Sequence, residues 1–282
     1  MFRQTPSTAQ TRLACLIGYP ARYSLSPRLH EAAYESLGVD ARYLVFPVTR
    51  GALQDAVNAI RTFNLLGVSV TVPHKQDVVQ MLDALSPEAQ HLEAVNTIVN
   101  RDGVLTGYNT DGAGFLAGLR ADGFDPKGSQ VAVIGAGGSA RAVTTSLVTA
   151  GVKNIAIVGR TRSKVDSLVA LGGPNCRPGG KEDIARADLV VNCTPVGMDD
   201  QPGNPVEPSL LRERQFVADL IYAPTQTELL QAAQSAGAHF ANGVSMLVHQ
   251  AAEQVRLFTG RQPDVEVMRA ALSRSPQFGE EQ

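Results

Sequence analysis

The sequence predicts an α/β fold of two domains, each built around a mostly parallel β-sheet. Short apolar runs alternate with helix-like segments through most of the chain, as they do where helices cover both faces of a parallel sheet. The apolar run at residues 131–134 ends in closely spaced glycines and leads at once into a helix-like segment. The length of 282 residues is enough for two domains.

The composition is that of an ordinary globular protein, with 44% hydrophobic residues and a net charge of −2. No basic face indicates nucleic acid, and no apolar run is long enough to cross a membrane. The three cysteines, Cys15, Cys176 and Cys193, have neither a disulfide nor a metal-ligand spacing, which indicates a reducing compartment and no metal site. Residues 1–10 lack the apolar centre of a signal peptide, so a cytoplasmic location is expected.

Strand and helix signals take turns through residues 1–110. Apolar or alternating runs predict strands at residues 13–18, 41–48 and 67–72, and Pro73 stops the last one. A hydroxyl cap followed by proline marks helix starts at Ser26 and Ser86. These starts and the helical period predict helices at residues 26–37, 53–63 and 76–82 and after Pro87. The turn at residues 101–103 predicts a hairpin between residues 97–100 and 104–107.

A helix at residues 111–119 is expected to lead into a second unit, where the alternation restarts. Strands are predicted at residues 131–134, 155–158, 189–192, 216–219 and 239–241, and helices at residues 139–149, 162–170, 183–187 and 227–236. This order predicts a Rossmann-like doubly wound dinucleotide-binding domain over residues 111–243. The helices at residues 244–259 and 265–272 fit no further strand, so residues 244–282 are expected to return to residues 1–110 and complete an α/β/α domain.

The glycine-rich segment after residue 134 has the spacing of a loop that holds a pyrophosphate. Gly135 would make the turn, Gly137 would let the backbone approach the phosphates, and Ala140 would let helix and strand pack closely. The helix start would direct its N–H groups at the phosphates. A purely structural turn is the alternative, since any tight strand-to-helix turn can use glycine. The candidate cofactor residues here are Gly135, Ala136, Gly137, Gly138, Ser139 and Ala140.

The end of the next predicted strand is where a dinucleotide site must hold the adenosine ribose. An NAD site usually has Asp or Glu there, to accept from the ribose 2′-hydroxyl. This segment has no carboxylate and carries Arg160, Thr161, Arg162 and Lys164. Arg160 and Thr161 would pair with a 2′-phosphate, so NADP is favoured and NAD is the less favoured cofactor. The alternative is an exposed helix start, where basic residues are commonplace.

Lys75 and Asp111 fall beyond strand ends, where ligands bind in doubly wound sheets. If both face one cleft, the ammonium can donate a proton to a developing alkoxide while the carboxylate orients it. From the spacing alone, a solvated lysine and a helix-capping aspartate are the simpler interpretation. Polar residues at strand ends and turns suit a small polyhydroxylated ligand, although each is also a plausible cap or turn former. These are Ser24, Ser26, Ser69, Thr71, Asn96, Thr97 and Asn109.

These motifs occur in an order that resembles the shikimate dehydrogenases, NADP-dependent enzymes of aromatic amino-acid biosynthesis. The resemblance runs from about residue 13 to residue 272. It is carried by residues 24–27, 70–75, 94–97, 109–112, 135–140, 160–161, 192–198, 219–225 and 246–250. The resemblance implies reversible hydride transfer between NADPH and the C3 carbonyl of 3-dehydroshikimate. It assigns the hydroxyl proton to Lys75 and a partner role to Asp111, which reverses the interpretation of the spacing alone.

The resemblance also implies the remaining site residues and the partners. A hydroxylated cyclohexene carboxylate would be bound by Ser24, Ser26, Ser69, Thr71, Asn96, Tyr222 and Gln250. Thr194, Met198 and Gly243 would join the cofactor site. The two domains would close over the cleft and exclude water. The protein is expected to be a monomer or a homodimer.

Three residues depart from the family pattern. Ser69 stands where the family commonly has asparagine, Tyr23 replaces a usual histidine, and Gly159 replaces the asparagine before Arg160. Two alternatives therefore stay open. The near alternative is a quinate or aminoshikimate dehydrogenase that uses NAD or NADP. The distant alternative is a cofactor-binding sensor without turnover, against which the presence of both Lys75 and Asp111 argues.

Overall fold

A computed structural model describes residues 6–21 and 24–273 of the chain. The first half of the polar start, residues 1–5, and the departure at Tyr23 lie outside the described residues. The chain divides into two compact units, one made of the residues up to Thr110 and from Gln250 onward, the other made of Asp111–His249. No helix of the described ranges is both long and apolar enough to cross a membrane.

The first unit is built on a six-stranded mixed sheet. Its strands are β1 (Arg12–Gly18), β2 (Ala41–Pro47), β3 (Gly67–Val70), β4 (Ala84–Leu85), β5 (Thr97–Arg101) and β6 (Val104–Tyr108), in the order β2-β1-β3-β5-β6-β4. β1 is parallel to β2 and β3, and β4 is parallel to β6, whereas β5 is antiparallel to both of its neighbours. The helices are α1 (Ser26–Leu37), α2 (Leu53–Thr62) and α3 (Pro87–Leu92).

The second unit is built on a six-stranded sheet whose recorded pairs are all parallel. Its strands are β7 (Gln130–Ile134), β8 (Asn154–Val158), β9 (Cys176–Pro178), β10 (Leu189–Asn192), β11 (Phe216–Asp219) and β12 (His239–Ala241), in the order β12-β11-β10-β7-β8-β9. Its helices are α4 (Asp111–Ala121), α5 (Gly138–Thr149), α6 (Arg162–Gly172), α7 (Lys181–Arg186) and α8 (Glu228–Ser235). The strand order reverses between β7 and β10, which is where doubly wound sheets bind ligands.

Both faces of the second sheet are buried, as parallel sheets require. Along β7, Val131 and Val133 lie in one apolar cluster, while Ala132 and Ile134 lie in another. This alternation follows from the two-residue period of a strand. The predicted α/β class is therefore confirmed.

The last two helices are α9 (Val244–Thr259) and α10 (Val265–Leu272), at the positions that the sequence predicted. α10 packs against α1, as expected for a segment that returns to the first unit. The second division of the chain lies inside α9, between His249 and Gln250, whereas the sequence placed it at the start of this helix.

Two local predictions are wrong. The segment at residues 76–82 forms turns and a short 3₁₀ helix, Val79–Met81, because the Lys75 carbonyl accepts the N–H of Val95 at 2.7 Å instead of that of Val79. Ser26 is the first residue of α1 and not its cap, since the N-cap is Leu25, whose side chain makes no capping hydrogen bond. Ser86 does cap α3, accepting from the Ala89 N–H at 3.2 Å.

Candidate active site

The turn after β7 is a position where only glycine fits. Gly135 has a φ of +108°, in a region that residues with side chains rarely adopt. A Cβ atom there would lie 3.0 Å from Thr194 Cγ2 and 3.3 Å from the Cys193 carbonyl oxygen. The loop after β10 therefore packs directly on this turn. Ala140 is fully buried, as close packing of α5 on the sheet requires.

The start of α5 fits a bound phosphate group. Cβ atoms built on Gly137 and Gly138 meet no protein atom of the described chain within 4 Å, so packing does not require glycine at either position. Gly137 is the N-cap residue, and no described side chain caps the helix there. The first N–H groups of α5 are thus available as donors to an anion.

The segment after β8 carries the predicted contacts to a 2′-phosphate on the protein surface. Arg160, Thr161 and Lys164 are exposed at the start of α6. Thr161 is the N-cap residue, but its hydroxyl does not cap the helix. Arg162 forms a salt bridge with Asp166, with Nε 2.9 Å from Oδ1. Arg162 is thus exposed but paired with a carboxylate, and it lies next to the exposed groups that are predicted to meet a phosphate.

A buried carboxylate organises the loops that follow β10 and β11. Asp219 Oδ1 accepts from Asn192 Nδ2 at 3.0 Å and from the Ile221 N–H at 3.1 Å. Its Oδ2 accepts from the Thr227 hydroxyl at 2.7 Å. Burial raises the pKa of Asp219, and these three hydrogen bonds oppose that rise. Asn192 Oδ1 accepts from the backbone N–H and the hydroxyl of Thr194, which fixes this predicted cofactor residue at the end of β10.

The other predicted residues of these loops have different surroundings. Tyr222 is half-buried after β11, and burial raises its pKa. Met198 is 41% exposed. Gly243 has a packing role, because a Cβ atom there would lie 2.1 Å from the carbonyl oxygen of Leu220.

In the first unit, the turn after β3 holds Lys75 by bonds on both sides of it. The His74 N–H donates to the Thr71 carbonyl at 3.0 Å, and the buried His74 ring donates from Nε2 to the Val48 carbonyl at 2.6 Å. The Lys75 carbonyl accepts from the Val95 N–H. The side chain of Lys75 is half-buried on this anchored backbone.

Asn96 fixes the end of the first unit. Its Oδ1 accepts from the Thr110 N–H at 2.8 Å and from the Thr97 hydroxyl at 2.7 Å, while its Nδ2 donates to the Thr110 hydroxyl at 3.0 Å. Thr110 is followed by Asp111, which starts α4 and is 7% exposed. Asn96 therefore controls the backbone at the point where Asp111 begins.

A chain of polar side-chain contacts joins several predicted substrate residues. The Ser24 hydroxyl donates to Ser26 at 3.1 Å, and Ser26 lies within hydrogen-bonding reach of the Tyr43 phenol. Tyr43 donates to the Ser69 hydroxyl at 2.6 Å. Ser69 donates to Gln254 Oε1 at 2.8 Å. This chain includes two residues that the sequence analysis missed, Tyr43 and Gln254.

Gln254 extends that chain to Asn96, because its Nε2 donates to Thr97 at 3.0 Å. The structure thus brings Ser24, Ser26, Ser69 and Asn96 into one network. Asn192 and Asp219 were also missed as supports of the cofactor loop. The pairing of Lys75 with Asp111 remains a prediction.

Three family models match the chain. They are the shikimate dehydrogenase substrate binding domain over residues 16–98, shikimate/quinate 5-dehydrogenase over residues 119–196, and the shikimate 5′-dehydrogenase C-terminal domain over residues 243–272. The chain is 42% identical over 282 residues to a shikimate dehydrogenase (NADP(+)) of Symbiobacterium thermophilum, covering 95% of this chain and 96% of the relative. This chain belongs to the shikimate dehydrogenase family.

Solved structures of the family agree. Shikimate 5-dehydrogenase of Thermus thermophilus, solved with NADP(H) and shikimate, is similar with a TM-score of 0.88 and 36% identity, over 93% of this chain and 99% of that one. Quinate dehydrogenase of Corynebacterium glutamicum, solved with NAD, is similar with a TM-score of 0.87 and 35% identity, over 93% and 98%. The family membership inferred from the motifs is thereby confirmed.

Proposed function

We propose that this chain catalyses the reversible, NADP-dependent reduction of 3-dehydroshikimate to shikimate. The observation that carries the proposal is the match to a shikimate dehydrogenase (NADP(+)) along nearly the whole of both chains. The glycine loop and the segment at Arg160, which has a guanidinium where NAD sites have a carboxylate, support the same cofactor. The chain is therefore an oxidoreductase that acts on a CH–OH group.

When bound, the reduced nicotinamide supplies the hydride, so the protein must supply binding and a proton. Lys75 donates the proton to the oxygen that becomes the hydroxyl, and Asp111 orients the ammonium. Hydrogen bonds to the backbone would set the positions of Lys75 and Asp111. Val95 holds the carbonyl of Lys75, and the next residue, Asn96, holds Thr110, to which Asp111 is covalently attached.

The other site residues divide by ligand. The substrate carboxylate and hydroxyls are assigned to Ser24, Ser26, Ser69, Thr71, Asn96, Tyr222 and Gln250. The cofactor is assigned to Gly135, Ala136, Gly137, Gly138, Ser139, Ala140, Arg160, Thr161, Lys164, Thr194, Met198 and Gly243. The free thiols of all three cysteines and the low net charge support a cytoplasmic enzyme with no nucleic-acid partner. We infer a monomer or a homodimer.

Quinate is the second candidate substrate. The similarity to a quinate dehydrogenase and the serine at position 69 both favour testing it. One assay separates the candidates: absorbance of the reduced nicotinamide with shikimate, quinate or aminoshikimate, each with NADP+ and NAD+. The proposal expects the largest kcat/KM for shikimate with NADP+. A larger value for quinate would contradict it, and no turnover with any pair would indicate a sensor.

The role of Lys75 is tested by Lys75→Ala. Loss of the proton donor should lower kcat by roughly 100- to 10,000-fold, with nearly unchanged affinity for NADP+. The measurement is steady-state kinetics, with cofactor binding followed by fluorescence titration. Lys153→Ala, which removes an exposed lysine of the second unit, is the matched control and should retain wild-type turnover. A Lys75→Ala enzyme with near-normal kcat would remove this residue from the mechanism.

A further inference from the structure

Gln254 is a fully buried amide whose orientation is fixed by its neighbours. It is 2% exposed and lies beside the backbone carbonyl of Asn96, 3.4 Å from Nε2, and the Thr97 hydroxyl, 3.0 Å from Nε2. Because a carbonyl oxygen can only accept, the amide nitrogen must face Asn96. The amide oxygen must then face the opposite side.

On that side, Gln254 Oε1 meets two side chains, and both must donate to it. His30 Nε2 lies 3.2 Å away and the Ser69 hydroxyl 2.8 Å away. Burial lowers the pKa of His30 to about 3, so the ring is neutral, with its hydrogen on Nε2 and its Nδ1 accepting from the Tyr34 hydroxyl. The single hydrogen of Ser69 is therefore committed to Gln254.

Tyr43 donates a hydrogen bond to one of the two lone pairs on the Ser69 hydroxyl oxygen. Its hydroxyl donates to Ser69 at 2.6 Å, and burial raises its pKa, so it stays a phenol that can donate. The ring of Tyr43 stacks on His30 with 3.9 Å between the centroids. Ser69 is left with one lone pair and no hydrogen. It can accept a hydrogen bond from a ligand but cannot donate one.

The packing of α9 on β3 indicates which side of the strand Ser69 faces. A Cβ atom on Gly67 would lie 2.2 Å from the Phe258 ring, and Ser69 bonds Gln254. Four residues of a helix rise about 6 Å and two residues of a strand about 6.6 Å. Every fourth residue of α9 therefore stays opposite every second residue of β3. Carried one step further, this register predicts that Gln250 lies near Thr71, the residue that follows β3. Ser69 thus belongs to the same row as two proposed substrate contacts.

We propose that Gln254 is a positioning residue that determines specificity. It accepts the hydrogen of the Ser69 hydroxyl, so a substrate hydroxyl that binds Ser69 must donate a hydrogen bond to the Ser69 oxygen. This inference rests on the proposed function. An asparagine at position 69 would offer a donor and an acceptor, whereas this site offers only an acceptor. The site therefore selects a hydroxyl and disfavours a group that can only accept at the same ring position.

The first test is Gln254→Met, which keeps the length of the side chain and removes the amide. The KM for shikimate should rise on the order of tenfold, with kcat within about threefold and the KM for NADP+ unchanged. The matched control is Gln215→Met. Gln215 is 1% exposed, and its amide makes three hydrogen bonds, to Ile184, Ala187 and Arg212. An equal rise in the shikimate KM for both variants would overturn the inference.

A double-mutant cycle isolates the path through Ser69. In a Ser69→Ala background, Gln254→Met should change the shikimate KM by less than about twofold, because the hydroxyl it positions is absent. Full additivity of the two changes would show that Gln254 does not act through Ser69. Wild-type turnover is measured first, and its absence would count against the proposed function instead.

A measurement on the wild-type enzyme serves even where a variant does not fold. Shikimate analogues with C4–H or C5–H in place of the hydroxyl are compared with analogues carrying fluorine, which accepts but does not donate. At one of the two carbons, replacing the hydroxyl by fluorine should raise KM relative to shikimate as much as replacing it by hydrogen does. Fluorine analogues that bind as well as shikimate at both carbons would show that Ser69 donates, and would overturn the inference.

Discussion

His30 is a buried histidine that the protein keeps neutral. Its ring is fully buried beside those of Tyr43 and Phe258, and burial lowers its pKa from 6.5 to about 3. The hydrogen bond to Gln254 works in the opposite direction and does not compensate for burial. In the unfolded chain this ring titrates normally. His30 therefore couples the stability of the first unit to pH.

Between pH 6.5 and about 3, the unfolded chain binds a proton at position 30 that the folded chain excludes. The free energy of unfolding must therefore fall as pH falls through this window, by up to about 1.4 kcal/mol per pH unit from this group. Urea unfolding at pH 7.5, 6.0 and 5.0 measures the slope. His30→Phe, which keeps the stack on Tyr43, should lose this part of the slope although it is less stable at pH 7.5.

His239→Asn is the control, since His239 is exposed in the second unit. It should keep the wild-type dependence on pH. Identical slopes for the wild type and His30→Phe would show that His30 is protonated in the folded protein. The tautomer on which the orientation of Gln254 depends would then be wrong.

Single residues differ in how far the sequence could reveal them. Gly135 was recognisable because its role comes from neighbours along the chain, a strand before it and a helix after it. Gln254 was not, because its partners Ser69 and His30 lie 185 and 224 positions away. Within the apolar period of α9 it resembles any polar residue on a helix surface. Buried hydrogen bonds between distant segments leave no local pattern.

Most elements followed from local rules, and the failures have a physical cause. α1 ends at Gly38, where the left-handed φ of +62° closes the helix as expected of glycine. The hairpin turn uses positive φ at Asp102 and Gly103, as its sequence indicates. The strands β4 and β9, of two and three residues, were missed because so few residues cannot display a period.

The turn between β7 and α5 allows a test of two glycines with different roles. Gly135→Ala introduces a Cβ at positive φ and against Thr194, which should cost about 1–3 kcal/mol of unfolding free energy. The Cβ added by Gly137→Ala meets no atom of residues 6–21 and 24–273 within 4 Å, so the substitution should change stability by less than about 0.5 kcal/mol. It should nevertheless raise the KM for NADP+, because the added methyl group stands between the backbone and the phosphates.

Urea unfolding and NADP+ kinetics on both variants separate these roles. The expected pattern is a loss of stability in Gly135→Ala and a loss of cofactor affinity without a loss of stability in Gly137→Ala. If Gly137→Ala bound NADP+ as well as the wild type does, the loop would be a purely structural turn. That is the alternative that the sequence alone left open.

For the molecule as a whole, the sequence predicted two sheets but not how the strands are ordered in the first. β5 lies between β3 and β6 and runs antiparallel to both, although the preceding strands are parallel. Turns follow Lys75 in place of a helix, and the Lys75 carbonyl accepts a hydrogen bond from the Val95 N–H just before β5. In the second sheet the order follows the doubly wound rule and needed no such detail.

The division into two units predicts that cofactor and substrate recognition can be changed separately. Arg160 belongs to the unit that carries the glycine loop, whereas most proposed substrate contacts belong to the other. Arg160→Ala should raise the KM for NADP+ on the order of 10- to 100-fold, since it removes a charged partner of the 2′-phosphate. The KM values for NAD+ and for shikimate should stay within about twofold of the wild type.

Arg162→Ala is the matched control for that experiment, because it removes a neighbouring arginine that is paired with Asp166 at the same helix start. It should leave the preference for NADP+ intact. A general loss of positive potential would weaken NADP+ similarly in both variants, while a specific phosphate contact acts only through Arg160. Equal losses for NADP+ and NAD+ in Arg160→Ala would mean that this arginine does not bind the 2′-phosphate, and the choice of cofactor would then have to arise elsewhere in the second unit.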